Sequence, residues 1–276
     1  MVSWPTYGAG VVMAVASAIA FAYVGHRLGA RPVIGDHRVA WTTFRVWWFA
    51  IAAEFLVSGT ISLLAGLGLI DFRVYGSFIY LNLGLLAVGV FGLVYYLLFI
   101  LTGLRWIFVP VAALYLGYYL SILYLVTAQA PSGIGFGEFR AFLRFENSPD
   151  PDVVWVSRAL GRWLPIACAV AFLTLVARTR DPTTRWRAIF IAPSIAAWAI
   201  NQEIATLLRG ATPTWYGFAN RSVGLLAALL VLLAYFPPRA LKERWGLYSI
   251  ADEATHVPSQ PKSPHVPAPP PIRNVP

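Results

Sequence analysis

Seven apolar stretches constrain this chain more than anything else in it. They cover residues 7–24, 41–69, 75–103, 104–128, 157–177, 186–208 and 214–236, and each is long enough to cross about 30 Å of hydrocarbon. Inside a bilayer every backbone N–H and C=O must find its partner within the protein, so stretches of this kind fold as helices packed into a bundle. Of the 276 residues, 58% are hydrophobic and only 12% are charged, which excludes a soluble globule. The fold class expected is all-α: a seven-transmembrane-helix bundle forming one domain over 1–238. A cytoplasmic juxtamembrane segment over 239–254 and a proline-rich disordered tail over 255–276 follow it.

The formal charge of +9 lies mostly beside the spans, so it reads as a topology signal and not as a nucleic-acid footprint. The first connection carries Arg27, Arg31 and Arg38 against Asp36, and the third carries Arg105. The fifth carries Arg178, Arg180, Arg185 and Arg187 against Asp181, and the C-terminal flank carries Arg239, Lys242 and Arg244. The short loops on the opposite side offer only Arg73 and Arg209. Basic loops stay in the cytoplasm, which predicts the N-terminus outside and the C-terminus inside. No basic residue precedes the first apolar stretch, so a retained helix is expected there and not a signal peptide. The expected location is the plasma (bacterial inner) membrane, with the bilayer as first partner.

The residue types missing from the spans exclude several functions. Both lysines, Lys242 and Lys262, fall on the cytoplasmic side, so no Schiff base to retinal can form in the bundle. His26, His37, His256 and His265 lie in the first connection and the tail, which removes paired histidines for haem or metal. The single cysteine, Cys168, can form neither an intrachain disulfide nor a cysteine metal site and reads as a small core residue. The glycines at 133, 135 and 137 have no strand-to-helix context for a phosphate loop. No nucleophile–base set appears either, so neither catalysis nor a cofactor is expected.

What polarity remains in the spans is short and placed at similar depth. Residues 186–237 read as two successive helices; the first holds Asn201, Gln202 and Glu203, the second Asn220 and Arg221, and a turn at 210–214 joins them. Counting from that turn at about 1.5 Å per residue, Glu203 and Arg221 each lie about 10 Å into the membrane. Asn82 shares that layer, Tyr119 and Tyr124 bracket it, and Arg162 is shallower. Ionised groups at such depth are costly unless paired or facing a wet cavity. Two readings follow: a structural ion pair between Glu203 and Arg221, or an outward-facing pocket of Glu203, Arg221, Asn82, Asn201, Asn220, Tyr119, Tyr124 and Arg162 that takes a small ligand from outside. Glu54 lies near the midplane at the level of Trp198, either as a carboxylic acid kept neutral by burial or as a proton-linked switch. Arg45 lies near the cytoplasmic face and can snorkel to it.

The fourth loop, 129–155, is the one long external segment. Residues 131–137 read as irregular, and 138–145 have apolar spacing for a short amphipathic helix, either resting on the membrane or serving as a lid. Beyond Pro237-Pro238, residues 239–253 read as an interfacial helix using Leu241, Trp245 and Leu247. The tail prolines at 258, 261, 264 and 267 favour extended polyproline II, either solvated or docking a partner.

Trp47-Trp48-Phe49-Ala50-Ile51-Ala52-Ala53-Glu54-Phe55 on the second span, the tight turn Leu98-Phe99-Ile100-Leu101-Thr102-Gly103-Leu104-Arg105-Trp106, and the exit Pro237-Pro238-Arg239-Ala240-Leu241 give residues 1–245 a layout that resembles the seven-helix membrane input domains of bacterial histidine kinases and diguanylate cyclases. That resemblance implies a receptor-like sensor that reads a ligand or membrane signal. It supplies no catalytic residue. Those domains feed a kinase or cyclase, whereas this chain has only a short tail, so signalling would pass through a cytoplasmic protein partner. A small-solute transporter and an accessory subunit of a membrane complex are the alternatives.

Overall fold

A computed structural model describes residues 3–29, 37–147, 150–177, 181–207 and 213–247, and within these every side chain except those of 175, 202–207 and 213–216. Residues 210–212 of the expected turn, the side chains of Gln202 and Glu203, and the tail over 255–276 therefore lie outside the described residues. Helices α1 (Trp4–Gly29), α2 (His37–Gly66), α3 (Phe72–Thr102) and α4 (Phe108–Ala128) are followed by strands β1 (Pro131–Phe136) and β2 (Ala141–Phe145). Then come α5 (Pro151–Arg158), a π-helical turn at Ala159–Trp163, α6 (Leu164–Ala177), α7 (Pro182–Leu207), α8 (Pro213–Tyr235) and the short α9 (Arg239–Trp245). Among the described residues, six stretches are long and apolar enough to cross a membrane: α1, α2, α3, Arg105–Ala128, Pro151–Thr174 and Gly217–Tyr235. The chain is a helical, multi-pass membrane protein. Helix α7, with 26 residues, packs between α6 and α8.

The helix ends follow from their sequences. Asp71 caps α3, its Oδ1 accepting from the backbone N–H of Arg73 and Val74 at 2.9 Å each. Gly103 ends α3 at φ 70°, the left-handed conformation that a residue without a Cβ adopts without strain. Asp150 caps α5, with Pro151 in the first turn where no N–H is needed. Pro238 opens α9 and Gly246, at φ 61°, closes it. Of the interfacial helix expected over 239–253, Arg239–Trp245 is helical and 248–253 lie outside the described residues; Leu247 is buried and Trp245 stands edge-on to Trp186 of α7.

Packing runs around a ring, α1 on α2, α2 on α3, α3 on α6, α6 on α7, α7 on α8 and α8 back on α1, with α4 outside against α3 and α5. Small residues set the close crossings: the backbone carbonyl of Thr43 occupies the place where a Cβ on Gly92 would stand, and Ala14 Cβ lies 3.2 Å from the corresponding point at Gly59. Polar side chains tie neighbours together. Trp41 Nε1 donates to the Leu28 carbonyl at 3.1 Å, Trp186 Nε1 to Leu233 at 2.9 Å and Ser194 Oγ to Ala227 at 2.7 Å. Arg45 stays at the basic end, as its depth predicts, with Nε donating to the Gly25 carbonyl of α1.

The external loop departs from expectation. Residues 131–145 form an antiparallel hairpin, not an irregular stretch and an amphipathic helix, on an otherwise helical fold. Ile134 pairs with Leu143 and Gly135 with Phe142, and the Gly137 N–H donates to the Arg140 carbonyl at 2.9 Å across the Glu138-Phe139 tip. A run as short as Ala141–Phe145, with four apolar residues, fits period 2 as well as period 3.6. Here the glycine-containing segment beside it supplies a partner strand, and alternation buries Ala141 and Leu143 while Phe142 and Arg144 turn the other way. The inward face joins Ile61, Ala65 and Tyr75 in a small second core.

Candidate functional site

The hairpin closes one end of the ring. Phe139, at its tip, wedges between α1 and α8. Its backbone carbonyl lies where a side chain on Gly10 would begin, and its own Cβ is 3.0 Å from the corresponding point at Gly217. Tyr75 Oη donates to the Ala141 carbonyl at 2.9 Å, and Phe139 packs on Phe218 with ring centroids 5.6 Å apart.

Beneath the hairpin lies a cavity of about 240 Å³. Helix α2 supplies Glu54, Phe55, Ser58 and Ile61; α3 supplies Tyr75, Ile79, Asn82 and Leu83. The hairpin supplies Arg140, the π-turn Arg162, α7 Asn201 and α8 both Asn220 and Arg221. Glu54, Asn201, Asn220 and Arg221 are buried, Arg221 to 1% of its exposed area. Six residues singled out from the sequence by depth and polarity, Glu54, Asn82, Arg162, Asn201, Asn220 and Arg221, therefore share one wall.

Two hydrogen-bonded tethers hold that wall. Arg140 Nη1 donates to Asn220 Oδ1 at 3.2 Å, and Asn220 Nδ2 donates to Asn201 Oδ1 at 3.0 Å, linking hairpin, α8 and α7. Arg221 Nη1 donates to Ser58 Oγ at 3.1 Å and Nη2 to Ser62 Oγ at 3.4 Å, linking α8 to α2. Deeper in, Trp198 Nε1 donates to Glu54 Oε2 at 3.2 Å, and Trp198 stands edge-on to Trp47 at 4.7 Å. The matched level of Glu54 and Trp198 in the sequence is a direct contact. Asn82 Oδ1 is buried and makes no hydrogen bond among the described residues, which leaves bonding capacity at the cavity wall.

Arg162 owes its position to the π-turn. The extra residue in such a turn re-aims a helix face, which is why π-turns recur at functional sites. Tyr118 Oη fills the space next to Gly161, and Tyr115 Oη donates to the Leu160 carbonyl at 3.1 Å. Gly161→Ala is therefore expected to destabilise the protein by about 1–3 kcal/mol through overpacking. Tyr118→Phe in the same chain should restore part of the loss, read as unfolding temperature in detergent.

Two expected members stand apart. Tyr119 lines an apolar groove between α3 and α4 with Leu81, Gly84 and Leu116, and Tyr124 is 64% exposed on the outer surface of α4. Depth sets height along a helix but not angle. The inner face of α4 is Val111, Tyr115, Tyr118 and Ile122, and Tyr119 is about 100° round from Tyr118. The side chain of Glu203 lies outside the described residues. Sequence reasoning missed Arg140, Ser58 and Tyr75. Ser58, four residues after Glu54, was legible as the next polar position on the same helix face; Arg140 was hidden by the loop's reading as a surface helix.

Among the described residues, no three of histidine, cysteine, aspartate and glutamate gather closely enough to hold a metal ion. No protein-family model, curated protein or solved structure matches the chain.

Proposed function

We propose that this chain is a receptor-like sensor of the plasma (inner) membrane, with seven spans, the N-terminus outside and the C-terminus inside. In this reading α7 also crosses the membrane, as the sixth span in chain order, and α8 is the seventh. His37, Arg38, Arg105, Arg185, Arg187, Arg239, Lys242 and Arg244 face the cytoplasm, and the hairpin lies outside. The cavity receives a small ligand from the outer side, and its occupant pulls on the tethers through Asn220 and Arg221. A shift of α7 and α8 would then reach the basic inner end, where Trp245 of α9 meets Trp186 of α7, for a cytoplasmic protein partner to read. The resemblance to kinase and cyclase input domains supports sensing over other roles, and binding without catalysis is the activity proposed.

The observation that carries this reading is the convergence of six intramembrane polar residues from five segments on one cavity under the hairpin. A conducting path is less favoured, because Trp198 and the fully buried Trp47 fill the bundle below Glu54. Native mass spectrometry of protein purified in mild detergent tests the reading. A small molecule retained by wild type and lost by Arg162→Gln is the expected result. A stoichiometric protein partner with no small molecule in either sample would favour an accessory subunit instead.

A further inference from the structure

The lining of the cavity is unbalanced in charge. Arg140, Arg162 and Arg221 contribute three guanidinium groups, and among the described lining residues Glu54 is the carboxylate. Even if Glu203 of α7 also reaches this layer and both carboxylates are ionised, the sum is 3 − 2 = +1. Charge excess inside the low-dielectric part of a membrane protein is expensive, and an anion in the cavity removes that cost. Arginine also presents a planar fork of donors that matches the two oxygens of a carboxylate or phosphate.

We propose that the ligand is a small oxyanion, a carboxylate or a phosphate group, held between Arg140 of the hairpin and Arg162 and Arg221 of the bundle. This rests on the reading of the cavity as a ligand pocket. The volume of about 240 Å³ falls below the roughly 300–1,000 Å³ typical of drug-sized pockets, so the organic part is small. Asn82 offers a hydrogen bond to a hydroxyl or amide on the same molecule, and Phe55, Ile79 and Leu83 contact its apolar part. Because the three arginines come from three segments, the anion draws hairpin, π-turn and α8 together. The anionic group has two possible sources: a free solute such as a dicarboxylate, or the phosphate of a lipid headgroup.

The test is thermal unfolding of the whole chain in phosphatidylcholine nanodiscs, titrated at constant ionic strength. The probes are succinate, glutamate, inorganic phosphate, choline, spermidine and glucose, each against sodium chloride. Saturable stabilisation by at least one oxyanion, weakened tenfold or more in Arg140→Glu and less in Arg140→Gln, is the expected result. Nanodiscs containing phosphatidylglycerol supply the lipid arm: stabilisation by this lipid and not by soluble acids identifies a headgroup, and the reverse identifies a free solute. Saturable stabilisation by choline, spermidine or glucose alone overturns the oxyanion assignment and leaves the pocket standing. No saturable stabilisation by any probe or lipid overturns both.

Discussion

Arg221→Ala is expected to weaken ligand binding roughly ten- to a hundredfold while leaving the protein folded. The guanidinium is buried to 1% of its exposed area and donates to Ser58 and Ser62 across the α2–α8 contact. Hydrogen bonds to a charged group are worth about 1.5–3 kcal/mol, which is roughly ten- to a hundredfold in affinity. Removing one partner of a dry buried pair costs about 3–5 kcal/mol of stability. Arg221 instead edges onto a cavity of about 240 Å³, where water can solvate the groups left behind, so a loss of stability nearer 1–2 kcal/mol is expected. Arg221→Lys keeps the charge but loses the fork and should fall between wild type and alanine. Titrating the retained ligand against each variant in detergent gives the affinities, and the unliganded unfolding temperature gives the stability. The competing structural account makes a different demand: Glu203→Gln and Arg221→Ala would each unfold the protein, and exchanging the two residues would rescue it.

Gly10→Val should have the second largest effect, and it acts on the hairpin. The Phe139 carbonyl already occupies the space where the new side chain would begin, and a backbone atom cannot swing aside as the end of a flexible side chain can. Overpacking of this kind costs about 1–3 kcal/mol, and the cheapest relief is for the hairpin to lift. Arg140 lifts with it, so ligand affinity and stability should fall together, with new proteolytic cleavage within residues 131–145. Gly217→Ala meets Phe139 Cβ at 3.0 Å and should show the same pattern more weakly. Gly8→Ala has nothing within 4 Å and should leave cleavage and ligand affinity unchanged.

The sequence carried the helices and the depth of the polar layer, because hydrocarbon thickness and the rise per residue are fixed quantities. Depth placed Asn82 with Arg221, Arg162 shallower and Glu54 nearer the midplane, and these residues line one cavity with Asn201 and Asn220. It could not supply the angle around each helix, which depends on which neighbour packs where; Tyr119 and Tyr124 failed for that reason. The hairpin was misread because local spacing in 138–145 is compatible with both periods, and the pairing that decides is between two segments. Arg140 was lost with it. The notch that seats the hairpin is built from Gly10 and Gly217, residues more than two hundred positions apart, and no local pattern announces such a pair.

Ser58 is the most direct probe of the central claim, an outward-accessible pocket beneath the hairpin. It lines the cavity and touches Arg221. In a Cys168→Ala background, Ser58→Cys would be treated in right-side-out and inverted vesicles with a small anionic methanethiosulfonate sulfonate and with its cationic trimethylammonium counterpart. Ser132→Cys, at an exposed position of strand β1, reports reagent access to the outer face. Labelling of Ser58→Cys from the outer side, faster with the anionic reagent, is the result this account requires. Labelling only in inverted vesicles, or none from outside while Ser132→Cys reacts fully, would contradict it.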